Sequence, residues 1–411
     1  MKNKSLTPQI RFKGYDDEWK ESTIEEHFTL YSGTTPSRSI PNAFCGSVNW
    51  ISSGELKPHY IGETKEKIAE EVFRNSSLRL LPPGLLVIAI YGLEAAGVRG
   101  TASVTSVPTT ISQACTAFIP NPRGEVDVEF LYGWYKHNGN YIGTHFAQGT
   151  KQQNLKSEII NELSICYPKG NEQKQIGKLI CNLDSLIDDT EQEIIRLEKM
   201  KQASLQKIFP RPGETTPDVR IVSFNEPWKI RTIGSCFSEA TGRGAHNNLL
   251  SVGITRGVYP TEDFVKTVTV KDFSNYKNVR ENDIVYNSMR MWQGASGVSY
   301  YEGIVSPAYT VMTPREFIWS PFFAVYFKLP WVIKIFEANS QGLTKDTWNL
   351  KYPAISQIEL PVPIDEKEQI YIAHFFNTLD SILSAKRQKL EKLQNLKQSC
   401  LDKMFINTTA Q

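Results

Sequence analysis

Two short stretches concentrate side chains suited to contacting a polyanion. In the polar loop from Gly149 to Leu155, Lys151 can neutralise a phosphate, while Gln152, Gln153 and Asn154 carry amides of the kind that pair bidentately with adenine. The second stretch, Asn287 to Gly294, places Arg290, Trp292 and Gln293 between a strand-like run and a glycine. Those are the ingredients of groove readout with a stacking or wedging residue. A third set, Ser32, Thr34, Thr35 and Arg38, offers hydroxyls and a guanidinium from a turn-rich segment, suited to phosphates and base edges. Arg243 with His246 and Asn247, and Lys345 with Trp348, are sparser versions of the same mixture. For each set the competing reading is an ordinary Ser/Thr/Pro turn, or a buried Trp beside a salt-bridged Arg.

Catalytic motifs are missing from the sequence. It contains no G-x-x-x-x-G-K-[ST], no H-E-x-x-H, no G-x-S-x-G, and no Asn/Asp-Pro-Pro-aromatic tetrad of the amino-methylating type. His27, His59, His137, His145 and His374 have no ligand spacing, and the six cysteines include no C-x-x-C, so they read as surface or core histidines and reduced structural thiols. No bound cofactor or metal is expected. A formal charge of +2 over 411 residues is nearly neutral, so any attraction to nucleic acid must come from local patches or partners. The N-terminal residues lack the apolar core of a signal peptide, and no window reaches about 18 unbroken apolar residues, which predicts a cytoplasmic protein without a membrane span.

The elements that must position these loops are visible in an internal repeat. Glu172 to Phe209 and Glu368 to Phe405 align without a gap at an offset of 196 residues, with Glu172/Glu368, Gln173/Gln369, Ile176/Ile372, Leu183/Leu379, Lys201/Lys397 and Phe209/Phe405 shared. Apolar residues recur every three or four positions: Leu183, Ile187, Ile194 and Leu197 in the first, Leu379, Leu383, Leu390 and Leu393 in the second. This heptad seam predicts two long helices of about 57 Å each at about 1.5 Å per residue. Thr190/Lys386 and Lys201/Lys397 interrupt the seam, and polar seam residues can set register. The first helix is acidic in the middle (Asp188, Asp189, Glu191, Glu193) where the second is basic (Lys386, Arg387, Lys389, Lys392). Each should therefore pair with the other rather than with itself.

The segments before the helices also repeat. Thr7 to Lys20 is answered by Thr216 to Lys229 at an offset of 209, Leu85 to Ile90 by Ile284 to Tyr286, and Asn154-Leu155-Lys156 by Asn349-Leu350-Lys351. The apolar runs predict short buried strands, and the aromatic run Phe130 to Tyr141 predicts a helix. Trp134 to Gly149 has no evident counterpart. A Pro- and Gly-rich linker follows Phe209. The expected order is a globular domain over 1–170, a helix over 171–210, a second domain over 211–365 and a second helix over 366–411.

In this order and duplication the chain resembles the specificity subunits of type I restriction-modification systems. The resemblance rests on an EQ-x-x-I-x-x-x-x-x-x-LD signature opening each helix, at Glu172-Gln173, Ile176 and Leu183-Asp184 and at Glu368-Gln369, Ile372 and Leu379-Asp380. SGTTPSR with VNWISSGEL, and NYKNVRENDIVYNSMR with EGIVSPAYTV, add to it. The resemblance implies an α+β fold with two similar target-recognition domains separated by antiparallel coiled-coil spacer helices in a pseudo-twofold duplication. It also implies a bipartite, asymmetric double-stranded DNA target, two methyltransferase subunits, and motor-nuclease restriction subunits. S-adenosylmethionine, ATP and Mg would belong to those partners, and this chain would be non-catalytic. The competing reading is a standalone nuclease or methyltransferase with a coiled-coil dimerisation arm.

Overall fold

The computed structural model describes residues 6–95, 97–149, 151–221, 224–244, 248–261 and 273–406. His246 and Asn247 lie outside the described residues. The chain divides into two compact units, one of residues 1–193 with 386–411, the other of residues 194–385. Each holds one globular domain and one stretch of each long helix.

In the first unit the apolar run around Leu86–Ala89 becomes the centre of a five-stranded sheet, ordered Phe28–Ser32, Cys115–Pro120, Leu86–Ala89, Ala102–Thr105, Tyr60–Ile61. Leu86 pairs with Phe118 on one side and with Val104 on the other, both antiparallel. Burial on both faces explains why this strand is continuously apolar rather than alternating. The helix Val128–His145 supplies Phe130, Leu131, Trp134 and Ile142 to the core, and Asp127 caps it by accepting from the backbone N–H groups of Glu129 and Phe130. Phe405, from the end of the second long helix, fills the same core against Phe130. Gly133 permits that approach, since a Cβ there would stand 2.6 Å from the Phe405 ring.

The second unit repeats the plan with less chain. Its sheet is ordered Phe237–Glu239, Tyr309–Pro314, Ile284–Asn287, Ser296–Val298, the same sequence of equivalent strands. In both units a two-stranded ribbon joins the start of the domain to the strand before a long helix: Lys20–Thr23 with Ser164–Tyr167, and Lys229–Thr232 with Glu359–Val362. The segment from Trp134 onward does have a counterpart here. It is divided into Ser320–Tyr326 and Pro330–Ala338. Pro330 lacks the N–H that would continue the preceding helix and begins a new one, which hides the equivalence from a sequence comparison. Phe209, at the end of the first long helix, packs here against Trp228, Phe322, Tyr326 and Phe376.

The two long helices, Gly170–Lys207 and Glu366–Met404, pair antiparallel. Within the first unit Lys397 meets Asp184, Gln394 meets Glu191 and Lys386 meets Glu193, so one helix advances as the other recedes. Leu183, Ile194, Leu379 and Leu383 are buried, and Ile187, Leu197, Leu390 and Leu393 are half-buried. The acidic and basic stretches meet as their charges require, through Glu193 and Lys386. The seam lysines are ion-paired. Lys397 with Asp184 in the first unit and Lys201 with Asp380 in the second are the same pair repeated by the duplication.

In the first unit that pair is part of a buried cluster. Asp184 also accepts from the Tyr132 hydroxyl at 2.9 Å and meets His59 Nδ1 at 3.0 Å, while His59 Nε2 meets Glu129 at 2.7 Å. Burial opposes a charge on His59, but its hydrogen bonds to Asp184 and Glu129 outweigh that and raise its pKa above the ordinary value. Asp184 is held below the usual carboxylate range, burial being overcome by His59, Lys397 and Tyr132.

The Glu-Gln signature is structural. Glu172 is fully buried and receives Arg11 through two hydrogen bonds of 2.7 and 2.9 Å. Its counterpart Glu368 is paired with Arg220 at 3.6 Å and accepts from Trp228 Nε1. Gln173 accepts from Asp127 N–H and donates to the carbonyls of Glu125 and Pro168. Gln369 does the same with Trp319, Phe317 and Pro363. Each Gln ties the start of a long helix to the preceding strand and to the domain's own helix.

Candidate nucleic-acid interface

In each unit several loops converge at the end of the central strand. In the first, Ile90 donates to Ala114 and Leu155 donates to Ile90, which brings the segment 112–115 and the loop 148–154 beside the strand end. Gly33 N–H donates to Cys115 and Thr34 N–H to Ile111, adding the segment after Phe28–Ser32. In the second unit Ser288 donates to Ala308 and Leu350 donates to Ser288, the same two connections.

The loops 148–154 and 341–349 share a closure, legible in sequence only as Asn-Leu-Lys. Gln148 and Asn154 exchange backbone hydrogen bonds of 2.8 and 2.9 Å, as do Gln341 and Asn349 at 2.9 and 2.8 Å. A glycine follows the Gln in both, and each has positive φ (Gly149, 115°; Gly342, 152°). A Cβ would collide with the loop's own backbone, 2.1 Å from the Gln152 oxygen or 2.7 Å from that of Thr347. Beyond the glycine, Lys151 and Gln152 in the first loop and Leu343 in the second are exposed.

The side chains singled out in sequence divide into projecting and anchored groups. Lys151 and Gln152 are exposed on the first loop, and Arg290 is exposed beside the second unit's strand end. Among the described residues none of these three side chains has a hydrogen-bond or ion-pair partner. Asn154 is half-buried and closes its loop through its backbone. Gln153 is anchored: Arg99 donates to its side chain at 3.1 Å, and its N–H donates to Glu94 at 2.8 Å, which lowers the Glu94 pKa.

The Ser/Thr set is largely internal. Ser32 bonds Thr116, the Thr35 hydroxyl accepts from Gln113 N–H, and Thr34 lies 3.4 Å from the Ser77 hydroxyl. Arg38 is held by Glu66 through two hydrogen bonds of 2.8 and 2.9 Å and covers the Phe44 ring. Arg243 donates to the Asn275 carbonyl.

Trp292 is half-buried, with its ring 5.5 Å from that of Trp348 and its Nε1 donating to Met289 O. Lys345 lies over both rings, at 5.7 and 5.6 Å, and 3.9 Å from Glu337. The Gln293 Oε1 is buried without a hydrogen-bond partner among the described residues. Sequence reasoning missed Arg99 and Glu66, the groups that hold Gln153 and Arg38, because their pairing is set by tertiary contacts far apart in the chain. Leu343, at the tip of the second loop, was also missed; loop polarity carries no signal for a projecting apolar residue.

The family model of the type I restriction modification DNA specificity domain matches residues 16–199. Those residues belong to that family. Two relatives from Methanocaldococcus jannaschii extend the specificity-domain likeness. The type I restriction enzyme MjaIX specificity subunit is 23% identical over 292 residues, 66% of each chain. The MjaVIII specificity subunit is 23% identical over 408 residues, 94% of this chain and 92% of the relative. The chain thus spans just under two thirds of the first relative's length and nearly all of the second's. The fold is that of a solved type I restriction-modification system S subunit from M. genitalium, with a TM-score of 0.61 at 15% identity, covering 98% of this chain and 100% of that one. Two similar globular domains with two long helices are the architecture of this chain.

Proposed function

We propose that this chain is the DNA-recognition subunit of a type I restriction-modification complex. Residues 1–170 and 211–365 each read one half of a bipartite double-stranded site, and the helices 171–210 and 366–411 set the gap between the halves. The observation that carries this reading is the repetition of one loop cluster, closed by the same Gln–Asn exchange, with different side chains in each unit. Lys151 and Gln152 in one and Arg290 in the other can reach phosphates and base edges, so the two half-sites differ. Ser32, Thr34, Thr35, Arg38, Gln153, Asn154, Arg243, Trp292, Gln293 and Lys345 shape and support the two surfaces.

The partners are two methyltransferase subunits, which transfer a methyl group from S-adenosylmethionine to adenine, and restriction subunits that use ATP and Mg to move and cut DNA in the cytoplasm. This chain recognises and positions; it performs no chemistry. Support for two copies of one docking partner comes from exposed apolar residues repeated by the duplication. Leu186 (44% exposed) lies at the level of Leu396 (51%) in the first unit, and Met200 (43%) at the level of Ile382 (40%) in the second. Equivalent patches suit identical partners.

The test is to co-express the chain with a cognate methyltransferase and map methylated adenines. A split asymmetric motif is expected, changing in one half only when residues 1–170 are exchanged for those of a relative. No split motif, or methyl transfer or cleavage by the purified chain alone, overturns the reading.

A further inference from the structure

Trp292 is the obvious aromatic wedge of the second unit, but its packing against Trp348 beneath Lys345 denies it that role. Another residue is placed to do so. Leu343 is 101% exposed, with no part of its side chain covered by the protein. A solitary exposed leucine ordinarily needs no explanation. This one stands on a rigid support.

The loop's base is closed by the Gln341–Asn349 exchange and tied to Ser288 through Leu350 N–H. Its tip is a short turn, Lys345–Thr347, held by Thr344 N–H to Thr347 Oγ1 at 3.1 Å and by Thr347 Oγ1 to Thr344 O at 2.9 Å. Gly342, at positive φ, lies against the Thr347 backbone where a Cβ would stand 2.7 Å from the carbonyl oxygen. The floor beside it is partly apolar, formed by the Trp292–Trp348 pair and by Met289, which is 46% exposed. Lys345 and the unpaired Arg290 supply cations near that floor, with Glu337 and Asp346 the nearby acids.

We propose that Leu343 is the DNA wedge of the second unit, inserting its side chain at a base step beside the groove contacts of Arg290 and the phosphate contact of Lys345. The inference rests on reading this unit as the reader of one half-site. An apolar tip on a braced loop, flanked by cations, has the features of side chains that unstack a base step and bend the duplex. The first unit's loop, with Thr150 following its glycine, offers no such apolar tip. Distortion by a wedge is therefore confined to one half-site, and specificity there includes positions read through deformability rather than hydrogen bonds.

The test uses the complete chain in complex with its methyltransferase, on the site that methylation mapping defines. 2-Aminopurine is placed in turn at each adenine-compatible position of the second half-site. The expected result is a rise in fluorescence at one step other than the adenine flipped for methylation, lost in Leu343→Ala together with about a fifty-fold loss of affinity for that site, as for removal of three buried apolar carbons. Leu343→Met should retain both, and affinity for a duplex carrying a one-base gap at that step should be nearly insensitive to Leu343→Ala. If the wild-type complex binds the mapped site but brightens no position other than the methylated adenine, or Leu343→Ala binds as tightly as wild type, the wedge is refuted and the recognition role stands. If mapping yields no split site, the recognition reading fails and the wedge with it.

Discussion

The duplication provides an internal control for what burial does to an ion pair. Asp184–Lys397 and Asp380–Lys201 occupy equivalent positions, yet their surroundings differ. Asp184 and Lys397 side chains are 10% and 16% exposed, whereas Asp380 and Lys201 are 53% and 28% exposed. Asp184→Ala strands a lysine, a histidine held between two carboxylates, and the Tyr132 hydroxyl, all away from water. Breaking a buried pair of this kind costs about 3 to 5 kcal/mol. Asp380→Ala releases a lysine that can hydrate, costing about 0 to 1 kcal/mol. The difference is about 2 to 5 kcal/mol, at least about thirty-fold in the opening equilibrium at about 1.4 kcal/mol per factor of ten. Because two compact units need not unfold together, hydrogen exchange resolved by peptide in denaturant is the suitable assay, comparing 176–193 with 197–207 in each variant. It is best done near pH 6, below the raised pKa of His59. Adding Lys397→Met to Asp184→Ala should recover part of the loss, since one stranded charge is removed. Losses within about 1 kcal/mol of each other for the two aspartates would refute the reasoning.

Three further outcomes are expected. His59 has a folded pKa above its ordinary 6.5, so its contribution is fully present below that value and is lost as pH rises through the raised one. First-unit stability measured between about pH 5.5 and 8.5 should fall over that window, and His59→Gln should remove that fall; an unchanged profile would exclude the histidine as its source. Arg290→Ala should weaken binding to sites carrying the second half by about 1 to 3 kcal/mol if the guanidinium reads a base. A loss equal on specific and non-specific DNA would assign it to phosphate. Deleting one heptad from both long helices shortens them by about 10 Å, close to a third of a DNA turn of about 34 Å. The spacer should contract or binding should vanish, and a methylation motif with the original gap would contradict a ruler.

The long helices were the most legible part of the chain. Their seam, their complementary charges and their repetition at a single offset are local in sequence, and a heptad pattern can be satisfied almost only one way. Leu86–Ala89 and Ile284–Asn287 were equally open to reading, because a short apolar run bounded by turns has few other uses. The loops 148–154 and 341–349 could be picked out by composition, but composition could not say which side chains project. Arg38 stands out by composition, but its pairing with Glu66 shows only in the fold. Trp292 stands out likewise, but its packing beside Trp348 and Lys345 shows only in the fold. The Glu-Gln signature marked a helix start, and only the fold showed Arg11 and Arg220 waiting for the two glutamates. His59 gave no signal at all, since its partners Glu129 and Asp184 lie on two other elements. Periodicity and repetition are encoded by neighbours along the chain and so survive in one dimension. Which polar groups spend their hydrogen bonds internally, and which remain to meet DNA, depends on partners that only folding brings together.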